Sequence, residues 1–257
     1  MGNKQHSRGY SRVTLMGEVA MGAVYRSACI FLLAAVLTAC PSVPRQPGPG
    51  ESFGKFEQPV QTEWLPDGRN MKLLRESVFH DTMQSLTWTA PESARIDGAS
   101  IPKIFWTLLS GPYEGRYRDA SVNHDYETCV KLRPWRQVHR MFYYAMRAQG
   151  ETKARAALMY FAVWHFGPRW PAQGFTAATD PNMQAPREAM TEADARRAQE
   201  LFEREPDISL EEIENIDAGK IRARLSAAGV AAMDMKGMRE GLQIPIATKD
   251  APCVVVE

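Results

Sequence analysis

The chain has 257 residues, of which 44% are hydrophobic and 24% charged, and a formal net charge of +1. That composition belongs to an ordinary globular protein, long enough for one good core and an appendage. A charge so close to zero implies no nucleic-acid partner.

The N-terminus departs from this average. Arg26 is followed by SACIFLLAAVLTA at 27–39, an uncharged run too short to span a bilayer comfortably, which ends in small residues directly before Cys40. This is the layout of a signal-peptide apolar region with its cleavage site. The residues LTAC at 37–40 resemble a bacterial lipobox, which implies lipidation of the Cys40 thiol, cleavage before it and a mature chain that starts there. About two or three acyl chains would anchor such a protein without a transmembrane helix. The expected address is the bacterial cell envelope, on the periplasmic face of a membrane, the outer one above all. Residues 1–24 are longer than such a signal needs, so Met16 and Met21 are alternative starts. Loss of residues 1–39, with Lys4, Arg8, Arg12 and Arg26 against Glu18, takes the formal charge from +1 to −2. Of the four cysteines, only Cys129 and Cys253 would then remain as thiols in an oxidising compartment. They form one disulfide, or Cys129 is a small core residue; spacing leaves both open.

PSVPRQPGPG at 41–50 holds four prolines and two glycines, so residues 40–58 are expected to form an extended tether. The core domain is expected at 59–175. Alternation and turn residues predict strands at 60–65, 70–74, 77–81 and 84–89, interrupted by Pro66-Asp67-Gly68 and Ala90-Pro91. The period then changes, and helices are predicted at 117–131, 135–149 and 152–166, the last closed by Gly167-Pro168. Val138, Met141, Phe142, Ala145 and Met146 form an apolar stripe on the second helix, and Ala157, Leu158, Phe161, Ala162 and His165 one on the third. The fold class is therefore α+β: a small antiparallel sheet followed by a bundle of about three helices. Residues 176–257 hold sixteen acidic and ten basic side chains. Thr191 with Asp194, and Ser209 with Glu212, have the spacing that opens helices. An acidic, partly helical C-terminal extension is expected, solvated and mobile, and suited to contact an envelope protein partner.

Chemistry-bearing residues gather in the middle of the chain. Asp97, followed by Gly98 and with Ser100 and Pro102 beyond it, suits either a tight turn and helix cap or an active-site loop. In SVNHDYETCVK at 121–131, His124 adjoins Asp125. On a helix the two point about 100° apart, so they cannot form a hydrogen-bonded dyad and must serve different partners. His124 would act as base on a water and Asp125 as cation ligand or anchor. His139, on the next helix, would approach His124 if the two helices pack antiparallel. Two histidines and one carboxylate would suit a divalent metal, but no ligand pair on a single helix supports it. His80 and His165 are expected to be structural.

DGASIPKIFW at 97–106, GRYRDASVNHDY at 115–126, VHRMFYYAMRAQG at 138–150 and LMYFAVWHFGPRW at 158–170, with Trp88 upstream, resemble a phage and proteobacterial family, domain of unknown function 1353. The resemblance covers about residues 60–170 and implies a shared fold without an established activity. His139 stands where many of its members carry an acid. The His-Asp pair in mid-helix is also remotely similar to secreted phospholipases A2, which would imply that His124 is a general base and Asp125 a calcium ligand. Ala120 and Ser121 replace the cysteines of that pattern, and no glycine-rich calcium loop precedes Tyr117.

Two functional expectations follow. In one, the protein is an envelope hydrolase, esterase-like or phospholipase-like, with His124, Asp125, Asp97 and His139 as catalytic candidates and a divalent cation as the conceivable cofactor. In the other, it is a noncatalytic binding or assembly lipoprotein whose His-Asp pair ties the fold together. A phosphohydrolase of the His-Asp type fits poorly, because such domains are all-helical and a strand-rich region precedes His124.

Overall fold

The structure, a computed structural model, describes residues 52–68, 70–97, 105, 108, 115–183 and 190–229. The signal segment, Cys40, most of the tether, Ser100, Pro102 and Cys253 lie outside the described residues.

Six short strands open the described chain: β1 Gly54–Phe56, β2 Thr62–Trp64, β3 Met71–Leu73, β4 Ser77–Asp81, β5 Leu86–Ala90 and β6 Arg95–Ile96. They form two antiparallel sheets rather than one, with orders β1-β4-β5 and β2-β3-β6. β4 and β5 make a hairpin around Asp81, whose carboxylate accepts the backbone N–H of Met83 (2.9 Å) and Gln84 (3.0 Å), the Gln84 amide (2.8 Å) and the Trp88 indole (3.3 Å). Burial pushes the Asp81 carboxyl above its usual range, and these donors pull it back down. β1 lies inside the stretch expected to be tether. It pairs at Gly54, where φ is +129° and a Cβ would stand 2.1 Å from the His80 carbonyl oxygen, so only glycine allows the approach.

The helices are α1 Arg118–Val130, α2 Trp135–Ala148, α3 Lys153–Phe166, α4 Glu192–Arg204, α5 Leu210–Asn215 and α6 Ala218–Ala227. α1 ends on Lys131 in the left-handed conformation (φ 56°), and the Thr152 hydroxyl caps α3 through the Arg155 N–H at 3.3 Å. α4 and α5 open with reciprocal capping boxes, Thr191 with Asp194 and Ser209 with Glu212. α3 does not keep the single apolar stripe expected of it: every residue from Ala156 to Trp164 is buried. α2 covers one side of it, and α4 and α5 cover another.

Residues 190–229 are therefore no solvated, mobile arm. Met190, Leu201, Phe202, Ile213, Ile221 and Leu225 belong to the same apolar cluster as α2 and α3. The acidic composition misleads because most of the charges, Asp194 and Glu214 excepted, line the outer faces, while alanines and a few large apolar residues at helical spacing face inward. No helix among the described residues is long and apolar enough to cross a membrane.

Candidate functional site

Three consecutive side chains on α1, Asn123, His124 and Asp125, are fully or almost fully buried. Each successive residue turns about 100° around the helix, so the three reach three different neighbours. Asn123 faces the β1-β4-β5 sheet. Its amide donates to the carbonyls of Ser77 and Trp88 (3.1 Å each), and its oxygen accepts the Ser77 hydroxyl at 2.6 Å. Asp125 faces the other sheet, and its Oδ2 accepts the Asp97 N–H (2.7 Å) at the end of β6.

His124 faces the helices. Its Nε2 lies 2.9 Å from Nδ1 of His139 on α2, and Nε2 of His139 lies 3.1 Å from the Pro168 carbonyl just beyond α3. A carbonyl oxygen can only accept, so His139 carries its proton on Nε2 and offers Nδ1 as acceptor. With both rings neutral, His124 then donates from Nε2 and keeps its lone pair on Nδ1. Aromatic neighbours hold both rings: Phe142 lies against His124 with centroids 4.6 Å apart, and Trp135 and Trp170 meet His139 edge-on at 5.5 and 6.2 Å. One hydrogen-bonded line thus joins α1, α2 and the end of α3.

The four candidate residues form two separate pairs, His124 with His139 and Asp125 with Asp97. Among the described residues no three His, Cys, Asp or Glu side chains gather as a metal site requires. A cavity of about 290 Å³ lies between α3 and α4, lined by residues such as Thr152, Arg155, Leu158, Gln199 and Glu203, and none of the four candidates lines it. His80 hydrogen-bonds Glu57 and Thr87 at the sheet surface, and His165 donates to the Ile213 carbonyl (2.8 Å). Cys129 is disulfide-bonded.

Residues 71–163 match the family model described as protein of unknown function, DUF1353. That segment runs from β3 to Val163 of α3 and contains Asn123, His124, His139, Asp97 and Asp125. Two relatives of Sinorhizobium fredii (strain NBRC 101917 / NGR234) are similar. The uncharacterized protein y4jT is 41% identical over 121 residues, 47% of this chain and 36% of its own. The uncharacterized protein y4iH is 35% identical over 106 residues, 41% of this chain and 44% of its own. The chain thus spans less than half the length of each. No solved structure matches.

Sequence reasoning missed Asn123 and the clamp that docks the C-terminal helices. Glu214, at the end of α5, accepts Arg140 bidentately (both 2.7 Å) and the Tyr160 hydroxyl at 2.6 Å, while its carbonyl accepts the Trp164 indole at 3.2 Å. Burial lowers the Arg140 pKa, but the Glu214 hydrogen bonds and charge outweigh it and hold the guanidinium above its usual value. Asn123 had one available signal: three polar residues in a row on a helix otherwise suited to the core.

Proposed function

We propose that this chain is a lipid-anchored protein of the bacterial envelope, held by acylated Cys40, with a noncatalytic binding or assembly role. In this reading Asn123, His124 and Asp125 are a fastening that sets the two sheets and the helices in place. The observation that carries it is the His124–His139–Pro168 line. Both imidazoles are completely buried, and His124 Nε2 and both His139 nitrogens are engaged with each other and with a backbone carbonyl. The apolar-run-and-LTAC sequence at 27–40 supports the anchor, and the acidic residues of the C-terminal part supply a surface for an envelope partner.

Replacing His124 by Ala should destabilise the fold by about 1 to 3 kcal/mol, because the His139 Nδ1 acceptor is left buried without its donor. Urea denaturation measures this. Cys40→Ser should abolish incorporation of labelled fatty acid and release the chain from the membrane fraction. A processed chain with no acyl group would overturn the anchor.

A second reading, a hydrolase with His124 as base, has one observation in its favour: His139 fixes the His124 tautomer as the orienting partner of a general base would. If it is correct, His124→Ala abolishes hydrolysis of an ester in envelope extracts while leaving the urea midpoint almost unchanged.

A further inference from the structure

The loop between α1 and α2 and the first turn of α2, KLRPWR at 131–136, carry cations that form no ion pair among the described residues. The guanidinium of Arg133 lies 4.2 Å above the Trp88 ring, that of Arg136 lies 5.2 and 5.5 Å from the rings of Trp135 and Trp164, and that of Arg169 lies 4.5 Å from Trp135. Stacked on tryptophans, these side chains are half-buried and held in place. Arg133 Nη2 donates to the Thr87 carbonyl at 2.8 Å, and the Trp170 indole ties the Arg133 carbonyl at 2.7 Å. Neither Arg133 nor Arg136 has an ion pair among the described residues. Glu127 feels the Arg133 charge and Asp180 that of Arg136, both without pairing. Three covered donors, Arg133 Nη1, Trp135 Nε1 and Arg136 Nε, have no acceptor among the described residues.

Arg140, one helical turn onward, shows how this fold neutralises an arginine when only structure is at stake: Glu214 takes it with two hydrogen bonds. Among the described residues no acid takes Arg133 or Arg136 in this way. α2 starts at Trp135 after Pro134, with no side-chain cap and no acidic residue in its first turn, so its positive end adds to the patch. Lys131 and Leu132 stand exposed in front, Leu132 by 62%.

We propose that this junction docks on anionic phospholipid headgroups, with Arg133, Arg136 and Lys131 on lipid phosphates and Leu132 at the acyl boundary. The proposal rests on the membrane-anchored reading for its occupant. Chain length agrees with it. The described chain enters beside the opposite end of α2, where Phe53 meets Tyr143 and Tyr144 at 6.4 and 6.3 Å. A helix of fourteen residues is about 21 Å long. The stretch from Cys40 to Phe53 reaches up to about 45 Å, enough to lay the junction on the membrane that holds the anchor.

The test is cosedimentation of the full chain with phosphatidylcholine vesicles, with and without phosphatidylglycerol. Wild type should prefer the anionic vesicles, and Arg133→Gln with Arg136→Gln should weaken that preference about thirty-fold. Lys131→Asn with Leu132→Ser guards against misfolding, since both sites are exposed and Asn tolerates the left-handed conformation; it should also reduce the preference while circular dichroism stays unchanged. An anchor adds equally to every variant, so the comparison stands whether or not Cys40 is acylated. A phosphatidylglycerol preference unchanged in both variants overturns the proposal, as does soluble glycerol phosphate binding the junction with no preference for vesicles.

Discussion

Two buried polar knots hold this molecule, and they work by different physics. The α1 knot, Asn123-His124-Asp125, is contiguous in sequence, and its Asn and His members make neutral hydrogen bonds to backbone carbonyls and one another. The α5 knot joins residues 74 positions apart and is charged, with Arg140 forked on Glu214 and Tyr160 completing it. A neutral knot loses what its broken hydrogen bonds contributed. A charged knot broken on one side also strands an ion where water cannot solvate it.

The sharpest break of that comparison is therefore Arg140→Met. It leaves the Glu214 carboxylate, whose side chain is 8% exposed, beside the Tyr160 hydroxyl. The expected loss is about 3 to 5 kcal/mol by urea denaturation, with residues 190–229 becoming protease-sensitive first. Arg140→Met combined with Glu214→Leu should recover most of that loss, since no buried charge then remains. A double variant as unstable as the single one would show that the clamp acts through packing and not charge.

Asn123→Leu, nearly isosteric, tests the neutral knot. It removes the donor from two buried carbonyls and the acceptor from the Ser77 hydroxyl, for an expected loss of about 2 to 3 kcal/mol. Unlike Arg140→Met, it should loosen β4 and β5 against α1 while the C-terminal helices keep their hydrogen-exchange protection. Protection lost equally everywhere would mean that the knots are one cooperative unit.

How far each knot could be read from the sequence follows from the same contrast. Helical geometry alone excludes a His124-Asp125 dyad and sends the two side chains to separate partners, and they do separate, to His139 and to Asp97. Strand β4 falls on the expected 77–81, and the first three helices lie within two residues of expectation, because caps and apolar periodicity are local signals. β1 and β6 span three and two residues and exist only through their partners, so no local pattern announces them. Likewise, nothing within 153–166 shows that α3 is covered on a second side, since the covering residues arrive 40 or more positions later in helices whose mean composition is acidic. Arg140 and Glu214 look like ordinary surface charges until the docking of α5 brings them together.

Glu127 gives the smallest effect and the finest probe of the same contrast, because it is a buried carboxylate, 5% exposed, that belongs to neither knot. Its Oε2 has no hydrogen-bond partner among the described residues. Burial pushes its carboxyl above the usual glutamate range, and the nearby Arg133 charge pulls it only partly back. A carboxyl raised in the folded state favours folding while protonated, so its contribution is fully present below the unfolded-state value and is lost as pH rises through the folded-state value. Glu127→Gln, which never ionises, should match wild type at acid pH. It should then become progressively the more stable of the two as pH climbs from the usual glutamate value to the raised one, and keep a constant lead above it. Urea midpoints across that window measure the gap. If the gap instead closes with rising pH, Arg133 holds the Glu127 carboxylate more strongly than burial opposes it, and Arg133 joins Arg140 as a neutralised cation.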